Sequence, residues 1–175
     1  MHNVENVLAC VVILKLLGIT SEEIRQGIST FTGVKHRIQQ VKTIDGITFY
    51  NDSKSTNPDA TIKAVESMKV PTVLIMGGYE KGLDYNEVMK VISNSTLVEN
   101  LIITGKSAKS MYESAINNNV KNVNVVSDFN LTVKLAYTLS KMGGAVLFSP
   151  ATSSFDIFSN YEERGDKFIE AVNQL

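Results

Sequence analysis

From Val4 to Leu17 the apolar side chains stand at Val4, at every position from Val7 to Leu14, and at Leu16 and Leu17. That is too many for one face of a surface helix, so the pattern predicts a helix covered nearly all round. Gly18 stops it. Thr20 with Glu23 three residues on is a capping-box start for a second helix over roughly 21 to 31, with Ile24, Ile28 and Phe31 on one face. Two short helices cannot bury each other so completely. The apolar run therefore calls for one of three covers: the rest of this chain, self-association through the helix at 7–17, or further chain of a larger protein.

After Gly33 the pattern changes. Residues 38–44 and 47–51 read as two strands joined by Asp45-Gly46, a hairpin signal that makes them antiparallel. Helices near 58–68, 85–93, 107–118, 129–141 and 160–173 then alternate with strands at 72–76, 98–104, 122–126 and 145–149. Serial βα units predict an α/β fold: a Rossmann-like, doubly wound, mostly parallel sheet with one antiparallel edge strand and helices on both faces, preceded by a short helical segment. The strands are continuous apolar runs, such as Val73-Leu74-Ile75-Met76, as expected where helices cover both faces.

Composition narrows the function. Of 175 residues, 17 are Lys or Arg and 18 Asp or Glu, a net charge of −1, which gives no electrostatic preference for nucleic acid or an anionic membrane. One cysteine, Cys10, excludes an internal disulfide framework, and two histidines leave too few soft ligands for a structural metal, so no cofactor is expected to be required for folding. Cys10 itself reads as a buried, inert thiol. The apolar run is too short to span a bilayer, and a cytoplasmic location is expected.

In open α/β sheets ligands bind beyond the carboxyl ends of the strands, and three of those loops are unusual. Asn51-Asp52-Ser53-Lys54-Ser55-Thr56-Asn57-Pro58 is dense in hydrogen-bonding side chains and feeds a helix N-terminus through an Asn-Pro cap pair. Gly77-Gly78-Tyr79-Glu80-Lys81-Gly82 allows close backbone approach and carries one cation, Lys81, suited to a carboxylate or phosphate. Ser149-Pro150-Ala151-Thr152-Ser153-Ser154-Phe155-Asp156 sets small hydroxyls at a strand end, followed by Phe158 and Tyr161; aromatics so placed more often fill a core. Thr104-Gly105-Lys106-Ser107 ends like a phosphate-binding loop, but position 100 is Asn100 where that motif needs Gly.

Six segments in this order, His2-Asn3-Val4-Glu5-Asn6, Gly33-Val34-Lys35-His36-Arg37, the 51–57 loop, Gly77-Gly78 with Lys81, Ser149-Pro150-Ala151 through Asp156, and Tyr161-Glu162-Glu163-Arg164-Gly165, are together highly specific. The chain resembles, over essentially its whole length, the C-terminal part of the Mur ligases, most closely the branch that adds D-glutamate. The resemblance implies that residues 1–33 are the tail of a central ATP-binding domain and 34–175 the C-terminal domain. It further implies an ATP- and Mg2+-dependent amide-forming step of peptidoglycan synthesis, joining D-glutamate to UDP-N-acetylmuramoyl-L-alanine. Asn6, Arg37 and Asp52 would contact the nucleotide, Lys54 and Thr56 would line the junction with the substrate, and Lys81, Ser154, Phe155 and Tyr161 would hold D-glutamate.

The family's Walker-type loop, magnesium ligands and uridine-nucleotide-binding domain have no counterpart in these residues, so the chain alone is expected to be inactive and to depend on those N-terminal and central domains. Tyr161 stands where phenylalanine is common. Without the resemblance, the alternative is a stand-alone Rossmann-like module binding a nucleotide or small anion, although no G-x-G-x-x-G follows a strand.

Overall fold

The computed structural model describes residues 2–175, with side chains from Val4 onward, so His2 and Asn3 of the N-terminal motif fall outside the described side chains. The chain divides into two compact units, Met1–Val34 and Lys35–Leu175.

In the first unit, α1 (His2–Leu16) ends in a left-handed glycine: Gly18 has φ 83°, its N–H donates to the Lys15 carbonyl, and the Ile19 N–H donates to the Leu14 carbonyl, both at 3.0 Å. This pair of bonds satisfies carbonyls the helix end would leave bare. The second helix, α2 (Ser21–Thr30), opens on the predicted capping box, with Thr20 Oγ1 accepting from the Glu23 N–H at 3.3 Å and Glu23 Oε2 accepting from the Thr20 N–H at 3.0 Å. The expectation of a helix covered nearly all round is not met. Val4, Leu8, Val12, Ile13, Leu16 and Leu17 are each more than half exposed, and Cys10 is exposed rather than buried. The physical reason is the one anticipated: a single ten-residue partner helix covers only one side of α1.

The second unit holds a six-stranded sheet in the order β1-β2-β6-β3-β4-β5, formed by β1 (Gln39–Ile44), β2 (Ile47–Asn51), β3 (Thr72–Gly77), β4 (Val98–Thr104), β5 (Val123–Val125) and β6 (Ala145–Phe148). Asp45 (φ 48°) and Gly46 (φ 77°) supply the two positive angles of a tight hairpin turn, so β1 lies antiparallel to β2, with a bulge between Gln40 and Lys42. Every other pairing is parallel. The fold expected from the apolar pattern is therefore the one observed.

Helices α3 (Pro58–Ser67), α4 (Asn86–Asn94) and α5 (Ala108–Asn117) pack on one face, where Ile62, Val65, Val88, Met89 and Met111 meet Leu74, Met76, Leu101 and Ile103. On the other face α6 (Phe129–Leu139) and α7 (Tyr161–Asn173) bring Val133, Ala136, Phe168 and Val172 against Phe49, Val73, Ile75, Ile102 and Phe148. Alternate residues of β3 thus feed two separate cores, which is why its six positions are all buried. Among the described residues no helix is long and apolar enough to cross a membrane.

This winding positions the site. Strands β2, β6 and β3 are neighbours, with Asn51 level with Phe148 and Phe148 level with Ile75, so their carboxyl ends finish at one edge. The chain leaves β2 and β3 toward the α3–α4 face but leaves β6 toward α7 on the opposite face. The strand order reverses on both sides of β6, and such switch points open a crevice.

Candidate functional site

Hydrogen bonds stitch the three loops together. The 51–57 loop begins with an Asx turn, Asn51 Oδ1 accepting from the Ser53 N–H at 3.1 Å, and Asn51 Nδ2 donates to the Gly165 carbonyl at 3.1 Å. The Gly77 N–H donates to the Pro150 carbonyl and the Tyr79 N–H to the Ser153 carbonyl, both at 2.9 Å, while Thr152 Oγ1 donates to the Tyr79 carbonyl at 2.6 Å. Gly78 N–H reaches Ser107 Oγ at 3.1 Å, fastening the glycine loop to the start of α5. Backbone strain concentrates here: His36 (φ 62°), Ile38 (φ 43°) and Ala151 (φ 61°) are left-handed without being glycine, and for β-branched Ile38 that is a costly conformation.

Lys54 is half-buried; its Nζ donates to Tyr161 Oη at 3.0 Å and lies 4.7 Å from the centre of that ring. Tyr161 is half-buried at the start of α7 and its ring meets His36 edge-on, so it lines the loops rather than filling the core. Thr56 is half-buried two residues beyond Lys54. Ser154 is buried with its carbonyl accepting from the Phe158 N–H at 3.1 Å, whereas Phe155 is 63% exposed, against the expectation that aromatics of this loop fill the core. Phe158, by contrast, packs edge-on against Phe129. Lys81 is exposed on the glycine loop. Glu80 shapes that loop, accepting from the Gly82 N–H at 2.7 Å and from the Ser110 hydroxyl, bonds that hold its carboxyl below the usual range.

Of the residues expected at a nucleotide, Asn6 is exposed on α1 in the first unit and Arg37 is exposed in the second. Asp52 is otherwise placed. It is 2% exposed, Oδ1 accepts from the Ile38 N–H at 3.1 Å, and Oδ2 accepts from Ser55 Oγ at 2.5 Å and Ser149 Oγ at 2.8 Å. Burial pushes its carboxyl up, and these donors and nearby Arg37 partly offset the rise. Both oxygens thus accept from the fold, and through Ile38 Asp52 fixes the backbone next to Arg37.

His36 is buried against α7. Its Nδ1 lies 3.0 Å from Asn51 Nδ2, a donor, so the ring proton sits on Nε2, which has no hydrogen-bond partner and stands 3.8 Å from Asp166 Oδ1. Close packing needs Gly165, because a Cβ there would overlap the imidazole. Desolvation lowers the His36 pKa, with Asp166 opposing. The folded protein then binds this proton less readily than the unfolded chain, so this contribution to stability is complete above the unfolded value of about 6.5 and is lost as pH falls toward the depressed folded value. His36→Gln is expected to flatten the decline in unfolding free energy between about pH 7.5 and pH 5.5, measured by denaturant titration. An identical pH slope in both proteins would contradict the burial effect.

Arg164, to which the sequence gives no role beyond its place in the 161–165 segment, is 1% exposed at the base of all three loops. A signal existed: on α7 it shares the inward stripe of Phe168, Ala171 and Val172, where a cation has no place unless something receives it. The Gly105–Ser107 turn, in turn, is no phosphate cradle, since a Cβ at Gly105 would lie 2.5 Å from the Asp156 carboxylate. Among the described residues no group of three or more acidic, histidine or cysteine side chains is arranged to hold a metal ion.

Residues 36–152 match the family described as Mur ligase, glutamate ligase domain. The UDP-N-acetylmuramoylalanine--D-glutamate ligase of Caldanaerobacter subterraneus subsp. tengcongensis is 43% identical over 176 residues, covering 99% of this chain and 39% of that protein. The enzyme of the same name from Clostridioides difficile is 38% identical over 174 residues, with 99% and 38% covered. The chain thus spans about two-fifths of the length of these relatives. Among solved structures, UDP-N-acetylmuramate-alanine ligase MurC from Thermotoga maritima superposes with a TM-score of 0.73 at 18% identity, covering 99% of this chain and 38% of that one. MurF ligase from Thermotoga maritima in complex with ADP gives 0.64 at 16% identity, covering 97% and 38%. At those identities the structures share the fold.

Proposed function

The chain belongs to the Mur ligase family through its glutamate ligase domain, and from that premise we propose that it serves an ATP-dependent ligase joining D-glutamate to UDP-N-acetylmuramoyl-L-alanine. Residues 34–175 are its C-terminal domain and residues 1–33 the end of its central ATP-binding domain. The observation that carries the reading is the convergence of Lys54, Thr56, Lys81, Ser154, Phe155 and Tyr161 on one edge of the sheet, in a chain whose 43%-identical relative bears that ligase name.

The reaction has two balanced steps. The alanyl carboxylate oxygen attacks the γ-phosphorus of ATP, ADP leaves, and an acyl phosphate forms. The amine of D-glutamate then attacks the acyl carbon, phosphate departs with the C–O bonding pair, and the amine loses a proton. This chain's share is orientation: a dicarboxylate amino acid held so that its nitrogen meets the acyl carbon gains most of what proximity offers. Lys81 answers one carboxylate, and the Lys54–Tyr161 pair, one ammonium and one phenol 3.0 Å apart, stands at the junction with the acyl donor. Arg37 is the cation for the nucleotide, and the ADP bound by a protein of this fold supports a nucleotide at the family's shared architecture.

The test is product formation by the complete protein. Phosphate release from ATP should require both UDP-N-acetylmuramoyl-L-alanine and D-glutamate, and should vanish when L-glutamate or D-alanine is offered instead. Equal turnover with another amino acid would sink the assignment. The 175-residue chain alone is expected to release no phosphate above a protein-free blank, because it carries no cradle for a transferring phosphoryl group.

A further inference from the structure

The largest fully buried side chain among the described residues is a cation, Arg164. Its Nε donates to Ser53 Oγ at 3.0 Å, Nη2 to the Ser53 carbonyl at 2.9 Å, and Nη1 to the Thr152 carbonyl at 3.0 Å. Ser53 Oγ in turn donates to the Tyr161 carbonyl at 2.8 Å. We propose that Arg164 is the positioning residue of the site: its guanidinium fixes the spacing between the loop carrying Lys54 and Thr56 and the loop carrying Ser154 and Phe155, and so sets the affinity for the amino-acid substrate. The proposal rests on the ligase reading for the identity of that substrate, while the clamp itself rests on the geometry alone.

The choice of residue supports geometry over bulk stability. A buried charge must be desolvated, and an apolar side chain at this place on the α7 stripe would fill the volume without that cost. Desolvation does weigh on Arg164, pushing its pKa down to about 10, yet it stays protonated at neutral pH, helped by the Asp156 carboxylate. What an apolar side chain cannot do is hold three acceptors on two loops in one plane. A planar fork does this, whereas an ammonium is a single point and reaches one of them well. The surroundings are cut to the fork. The Phe148 ring lies 5.9 Å from the guanidinium carbon, and a Cβ at Gly78 would stand 2.8 Å from Nη1, so Gly78 leaves the space the guanidinium occupies. Thr152, gripped through its carbonyl, uses its hydroxyl to hold Tyr79, so the glycine loop bearing Lys81 is tied to the same clamp.

The complete protein with Arg164→Lys, and separately Arg164→Met, provides the test. For Arg164→Lys the KM for D-glutamate is expected to rise by about tenfold or more while the KM for ATP stays within about twofold, with a larger rise for Arg164→Met. In parallel, amide hydrogen exchange should accelerate in residues 51–57 and 149–156 and stay unchanged in β3 and β4. Both KM values moving together, unchanged exchange in the two loops, or exchange rising through the whole sheet would each overturn the clamp. If the unaltered protein shows no D-glutamate-dependent turnover, the ligase reading fails by itself, and the exchange pattern alone decides whether Arg164 positions the loops.

Discussion

Gly77→Ala is expected to destabilise the second unit by about 4 kcal/mol, lowering its Tm by roughly 8 to 16 °C. Gly77 closes β3 at φ 121°, a region that L side chains rarely adopt, and a Cβ there would overlap the Thr104 carbonyl oxygen on β4 and come within 2.8 Å of its carbon. The neighbour is the backbone of an adjacent interior strand, and no side chain can swing aside. Strain of about 1–3 kcal/mol for the angle therefore adds to about 1–3 kcal/mol for the overlap. Gly82→Ala is the control. Its φ is 67°, but nothing stands within 4 Å of the added carbon, so only the angular strain of about 1 kcal/mol remains. Denaturant midpoints for both variants separate the two contributions, and a Gly77→Ala protein as stable as Gly82→Ala would mean that the β3 end yields without resistance. Displacement of Gly77 also moves the Gly77 N–H from the Pro150 carbonyl, 2.9 Å away, and with it the loop that carries Lys81.

How far the sequence foretold this site depends on the kind of signal. The sheet was legible because strands buried on both faces must be continuously apolar: the runs at 72–76, 98–104 and 145–149 leave no other home, and the Asp45-Gly46 pair dictates the antiparallel edge. The convergence of the three loops followed from strand direction alone. What the pattern could not convey is which polar side chains of a polar loop turn inward. Asp52 and Lys54 are two residues apart in one hydrogen-bonding segment, yet Asp52 turns inward to accept from Ile38, Ser55 and Ser149 while the Lys54 ammonium donates to Tyr161. That division is set by partners 14 and 97 residues distant, which no local window contains. The role of Arg164 was missed for the same reason, the receivers of its guanidinium lying 111 and 12 residues away. Cys10 shows the converse failure. A helix apolar on every side predicts a buried thiol, but the described partner covers one side only.

Lys81→Ala in the complete protein is expected to lower kcat/KM for D-glutamate by about 30- to 1,000-fold while leaving the KM for ATP little changed. The loop is already shaped before any ligand arrives, because Glu80, next to the lysine in sequence, accepts from the Gly82 N–H and from the Ser110 hydroxyl on α5. Little further ordering is then needed for the ammonium to meet a carboxylate, and the loss on its removal is the cost of leaving that carboxylate unpaired in a partly dehydrated cleft. Arg37→Ala should show the opposite bias. Arg37 directly precedes Ile38, whose N–H Asp52 Oδ1 receives, so its segment is held at the end of β2 rather than on the glycine loop, and its removal should raise the KM for ATP more than that for D-glutamate. A solvated lysine with no ligand would change kcat/KM by only about twofold. Steady-state kinetics with each substrate varied in turn separates these cases. Equal effects of both substitutions on both substrates would mean that Lys81 and Arg37 act in closing the site around its contents, and that neither touches the ligand assigned to it.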